Sequence, residues 1–167
     1  MSEEPTRNDR FITYLRSRLD DRGFLADLRR GFSEATADRA WPHIAPWCNL
    51  TKERERTIFQ TVGAAFATQP DTAEQGNMGH VMHRIAVGDG SVQDGLATFD
   101  SRFRRFLSCT SAQQVCARLP GIIRTAATKN IPINHSQLLN DLWYWNERTR
   151  IEWAAAYWKT EREEVHE

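Results

Sequence analysis

Apolar residues recur at helical spacing along almost the whole chain, and no stretch alternates apolar and polar residues for long enough to make a strand. That periodicity dictates an all-α fold. Phe11, Ile12, Leu15 and Leu19 share one face of a first helix from Asn8 to Leu19, which Asp20, Asp21 and Gly23 interrupt. In "GFLADLRRGF", Phe24, Leu25, Leu28 and Phe32 repeat the device, with Arg29 beside the apolar stripe and Arg30 pointing away from it. Ile58, Phe59, Val62, Ala65 and Phe66 form the stripe of a longer helix that Thr51 is placed to cap and Pro70 ends. Met78, Val81, Met82 and Ile85 mark a shorter one from Asn77 to Ile85.

Prolines and glycines divide these helices. Pro42 and Pro46 make "RAWPHIAPWC" a turn-rich connector, with Trp41 and Trp47 as its anchors. "GDGS", Gly88 to Ser91, separates an N-terminal helical bundle, 1-88, from a C-terminal one, 92-167, with about four helices in each and the two bundles packed together. In the second half, Ser111 with Gln114 (or Thr110 with Gln113), Asn134 with Gln137, and Thr149 with Glu152 read as helix entrances, and "TKNIPIN" as a short extended link. Trp143, Trp145, Trp153 and Trp158 cluster late in the chain. Core packing is the expected use for most of them, with Trp145 the exception able to stack on an unpaired base.

The charges balance, 22 basic against 22 acidic, yet they are unevenly spread. Nineteen of the basic residues are arginine. From Arg84 to Arg150 there are nine basic and five acidic residues, whereas Ile151 to Glu167 holds two basic and five acidic, so a neutral sum covers a basic middle and an acidic tail. "FDSRFRRFLSC" concentrates this. Read as a helix, it puts Leu96, Phe99, Phe103, Phe106 and Leu107 in one core-facing arc, Arg102 and Arg105 together on one flank, and Arg104 on the other within reach of Asp100. Two guanidiniums one turn apart on a rigid apolar base are placed to straddle a phosphate; without a partner they are a solvated face.

Enzymatic readings find little support. His80 and His83 stand at i, i+3 but lack further metal ligands at characteristic spacing, so no metal or other cofactor is expected. Cys48 with His43, or Cys109 with His135, has no nucleophile-elbow context, and no GxxxxGK[ST] phosphate loop is present. Three cysteines without CxxC spacing favour a reducing cytoplasm, and neither a signal peptide nor an apolar run of membrane length is expected.

"GHVMHRIAVG", "FDSRFRRFLSCTSAQQV" and "KNIPINHSQLLNDLWYWNERTRIEWAAAYW", in that order and with "GFLADLRRGF" before them, resemble the small CasB-type subunit of type I-E CRISPR Cascade surveillance complexes. The resemblance runs from Gly23 to Trp158. It implies a non-catalytic all-α protein of two helical bundles, present in two copies beside the other Cascade subunits, lining guide RNA and target DNA and helping to hold the displaced strand of the R-loop. On this resemblance Arg29 and Arg30 match an N-terminal arginine pair, Arg84 the arginine before the break, and Arg102, Arg104 and Arg105 the "RFRR" cluster. Arg148 and Arg150 match the basic pair after the tryptophan-rich helix, with Arg124 and Lys129 as nearby positive positions. The alternative is a helical protein–protein adaptor whose arginines form ion pairs across an interface and touch no nucleic acid.

Overall fold

The computed structural model describes residues 5–88 and 92–159. Among them are nine α-helices: α1 (Arg7–Ser17), α2 (Arg22–Arg29), α3 (Trp41–Ile44), α4 (Glu53–Thr68), α5 (Met78–Val87), α6 (Val92–Leu107), α7 (Ala112–Thr128), α8 (His135–Trp143) and α9 (Glu147–Tyr157). Two 3₁₀ turns, Arg30–Phe32 and Ala37–Arg39, follow α2. The all-α expectation holds. The only extended pairing among the described residues is an isolated parallel bridge between Thr72 and Ile133, at the "TKNIPIN" link. Residues 89–91 of the glycine-rich break and residues 160–167 of the acidic tail lie outside the described residues.

Local signals explain most helix starts. Thr6 and Asp9 close a reciprocal capping box on α1, Asp21 accepts the Phe24 N–H on α2, and Ser111 and Asn134 accept from Gln114 and Gln137 on α7 and α8. Two expected caps are corrected. Thr51 turns its hydroxyl to Asn49 Oδ1 at 2.6 Å, and α4 begins after Lys52 without a side-chain cap. Thr149 lies inside α9, which starts two residues earlier because Asn146 accepts the Thr149 N–H at 3.0 Å. Pro42 sits in the first turn of α3, where its missing N–H costs nothing, so the connector contains a one-turn helix.

α4 is the axis of the molecule. It packs against α2, α7 and α8, and Thr61, Gly63, Ala64, Ala65 and Ala67 are buried along with its large apolar residues, as a helix enclosed on most sides requires. At its end Arg54 of the first turn donates to the Leu142 and Trp143 carbonyls, satisfying the open C-terminus of α8. α5 in turn packs on α6 and α9. Two glycines set these crossings: a Cβ on Gly79 would lie 2.2 Å from the Trp153 carbonyl oxygen, and one on Gly95 1.9 Å from that of Ala86. Each contact joins residues from before and after the break. One continuous buried cluster accordingly runs from Phe11 to Tyr157.

Polar groups inside this core are matched. Asp141 accepts from Trp153 Nε1 and Gln137 Nε2, both at 2.8 Å, although burial raises its pKa. His135, 0% exposed, donates from Nε2 to the Gln69 carbonyl at 2.8 Å, and burial pushes its pKa down to about 4. Gln69 ties α4 to α7 by donating to the Ala126 and Ile131 carbonyls.

Candidate nucleic-acid interface

The "RFRR" segment folds as the periodicity requires. Phe99, Phe103 and Phe106 of α6 are buried, and Phe103 stacks on Tyr157 with ring centroids 3.9 Å apart. This fixes the two flanks. Arg104 turns toward α9, where Asp100 holds its Nε at 2.6 Å and the Trp158 ring lies 4.9 Å away. Arg102 and Arg105 turn toward α7 and line a groove of about 230 Å³ together with Phe106, Ala117, Arg118 and Ile122.

Arg118 was not anticipated from the sequence. It stands alone in the apolar run "VCARLPGII", so no local pair or cluster marks it. A different signal was available: between Asp100 and Asp141 there is no acidic residue at all, while Arg102, Arg104, Arg105, Arg118, Arg124 and Lys129 fall inside that interval. The even overall balance conceals it.

The exposed side of α7 continues the pattern. Arg118 and Arg124 are exposed on it and Lys129 is its C-cap, so the three span roughly 16 Å of helix axis at about 1.5 Å per residue. Arg124 lies over the Phe32 ring at 5.4 Å, beside the turn that carries Arg30. Arg29 donates from Nε to the Ala67 carbonyl at 3.2 Å, in the last turn of α4, two residues before Gln69, whose side chain reaches the Ala126 carbonyl of α7. At the far end Lys129 and Arg84 line one hollow of about 390 Å³ with Gly88 and Ile131. Among the described residues, the guanidiniums of Arg30, Arg84 and Arg105 have no hydrogen-bond, ion-pair or ring partner.

Three expected positions are elsewhere. Arg104 belongs to the α9 flank; Arg148, though exposed, is paired at 3.2 Å with Glu152 one turn on; and Arg150 donates to the Leu107 carbonyl at 3.2 Å. α7 thus gathers Arg102, Arg105 and Arg124 and, at its C-terminal end, Arg84 and Lys129, with Arg118 added; Arg29 is held at the end of α4, Arg30 lies in the turn beside Phe32, and Arg104, Arg148 and Arg150 lie around α9.

The aromatics are mostly structural. Trp153 is fully buried, and Trp145 is held by its Nε1 donating to the Cys109 carbonyl at 2.9 Å and by an edge contact with Trp153, which corrects its reading as the exposed exception. Tyr144, 64% exposed, is the accessible ring of that region. The cysteines do not resemble nucleophiles: burial pushes Cys48 up to about 11 and Cys116 up to about 12, and raises Cys109 as well. His80 and His83 are used structurally, His80 Nδ1 accepting the Asn77 N–H and His83 Nδ1 donating to the Tyr157 carbonyl at 2.7 Å. Among the described residues no three His, Cys, Asp or Glu groups are placed to hold a metal ion, and no helix is long and apolar enough to cross a membrane.

Two solved structures share this architecture. CasB of M. ruber superposes with a TM-score of 0.72 at 23% sequence identity, over 98% of each chain. CasB from Thermus thermophilus gives 0.67 at 23% identity, over 90% of this chain and 97% of that one. At this identity the likeness speaks for the fold. Comparison with the curated proteins gives no match. The family model of the CRISPR-associated protein Cse2 matches residues 24–158, most of the chain and the same stretch that carries the CasB-type resemblance, and to that family this chain belongs.

Proposed function

We propose that this chain is the non-catalytic small subunit of a type I-E Cascade ribonucleoprotein, and that the basic strip along α7 holds sugar–phosphate backbone of the guide RNA, the target strand or the displaced strand. The single observation that carries this is the α6/α7 groove, where Arg102, Arg105 and Arg118 from two helices share one hollow within an acid-free stretch of chain. A phosphate entering there meets several guanidinium forks and no repelling carboxylate from that stretch. No base needs to be read, since the guide supplies sequence specificity. Exchange of one nucleic-acid duplex for another of similar stability is nearly balanced, and backbone contacts of a few arginines are then enough to favour the open state. Such a role belongs in the cytoplasm, beside the other Cascade subunits and a second copy of this chain.

The test is the salt dependence of binding to a single-stranded oligonucleotide. Each phosphate contact contributes about 0.7 to the log–log slope, so replacing Arg102, Arg105 and Arg118 together by alanine lowers the slope by about 2. An unchanged slope, or no binding at low salt, removes the reading and favours the protein–protein adaptor. One observation keeps a protein-contact surface alongside the nucleic-acid one: the α8–α9 corner leaves two large apolar side chains uncovered, Tyr144 at the C-cap of α8 and Ile151 in the first half of α9, 64% and 59% exposed. We assign that corner to a neighbouring Cascade subunit.

A further inference from the structure

Beyond the Lys129 end of the basic strip, the molecule has a second, larger hollow of about 450 Å³ that shares Arg84 and Ile131 with the first. Its walls are of a different kind. Ala73, Val81 and Pro132 give it apolar sides, while Gln75, Asn134 and His80 place amide and imidazole groups around it. The volume lies within the range of small-molecule pockets, which combine apolar walls with a few polar groups that fix orientation.

The polar groups are open to a ligand. Gln75 is exposed and its amide has no partner among the described residues. Asn134 Oδ1 accepts the Gln137 N–H, which leaves its amide hydrogens. His80 accepts the Asn77 N–H on Nδ1, so the neutral ring carries its proton on Nε2 as a donor. Burial, then the charges of Lys159 and His83, lower its pKa and keep it in that form. The hollow is also fixed in shape: Gly76 closes the turn before α5 at φ 95°, a conformation that excludes most side chains, and the Ile133 carbonyl accepts the Ala73 N–H at 3.0 Å to tie the two loops together.

We infer that these joined hollows bind one unstacked nucleotide of a single strand, its base in the amide-lined hollow and its phosphate between Arg84 and Lys129. The chemistry is complementary at both ends. A base is flat, uncharged and apolar on its faces, with donors and acceptors on its edge that suit Gln75 and Asn134; a phosphate diester suits two cations on separate helices. This rests on the reading of α7 as a backbone-binding strip, which delivers the strand to the hollow, and adds to it contact with a base.

The experiment compares, at low salt, the affinity of the full chain for a labelled thymidine oligonucleotide of about twenty units with that for an abasic oligonucleotide of equal length and charge. The expected result is binding about five-fold or more tighter with bases present, a ratio that falls to near one in Ala73→Trp, which fills the hollow, while abasic affinity stays unchanged. Gln75→Leu lowers the same ratio without filling the space, and provides the result if Ala73→Trp fails to fold. Equal wild-type affinity for the two oligonucleotides overturns the inference and leaves the backbone-binding role standing. So does a base preference that both variants retain, because the bases are then stacking elsewhere. Absence of binding by either oligonucleotide overturns the backbone role and the inference with it. Displacement of the base-dependent component by micromolar thymidine 5′-monophosphate would reassign the site to a free nucleotide and overturn the strand-borne version.

Discussion

Arg105 of α6 and Arg118 of α7 line one groove, whereas Arg104, the immediate neighbour of Arg105, is turned away and held 2.6 Å from Asp100. Adjacent arginines therefore have different consequences. Arg105→Ala is expected to weaken oligonucleotide binding at low salt by about two- to five-fold through loss of one phosphate contact, and Arg104→Ala to change it little. Fluorescence anisotropy on the two variants checks this, and equal losses would contradict the separation of the flanks.

Stability should respond oppositely to the same substitution at two helix glycines. Gly95→Ala drives a Cβ to 1.9 Å from the Ala86 carbonyl oxygen, backbone that can yield only by moving α5 away from α6, and should cost about 2 kcal/mol or more. Gly121 on α7 has nothing within 4 Å of a built Cβ, so Gly121→Ala should stabilise by about 0.5–1 kcal/mol through helix propensity. Urea unfolding midpoints measure both.

Acid should destabilise the fold through His135. Its pKa falls from 6.5 in the unfolded chain to about 4 in the folded one, so the neutral ring's contribution is complete above pH 6.5. As pH drops through that value the unfolded chain takes up a proton that the native site refuses. About 2 kcal/mol is then lost between pH 7 and pH 5. Asp141 acts the other way: its raised pKa stabilises the fold below the unfolded carboxylate range and lessens the loss at the acid end. Urea titrations at the two pH values should show the drop in the wild type and a smaller one in His135→Gln; a flat wild-type profile would contradict the burial argument.

What the sequence made legible was local. The arc of Leu96, Phe99, Phe103, Phe106 and Leu107, the separation of Arg102 and Arg105 from Arg104, and the Arg104–Asp100 pair all follow from 100° of rotation per residue, and all are present. The caps were legible where one candidate stood alone, as at Asn134, and misread at the last helix, where two competed: in "NERT" both Asn146 and Thr149 are cap-forming residues, and the earlier one won. Periodicity carries no information about partners distant in the chain. The packing of α4 on α7, the meeting of Arg84 with Lys129, and the placing of Arg118 opposite Arg102 and Arg105 are long-range outcomes. Trp145 was misjudged for the same reason, since its anchor is the carbonyl of Cys109, 36 residues away.

The most direct measurement is the lifetime of the R-loop formed by the assembled Cascade complex carrying Arg102→Glu and Arg105→Glu in this subunit, at physiological salt. The account predicts normal assembly and a lifetime shortened by about ten-fold or more, because two attractive phosphate contacts become repulsive ones. An R-loop as long-lived as the wild type's, in a complex that contains the variant subunit, would contradict it.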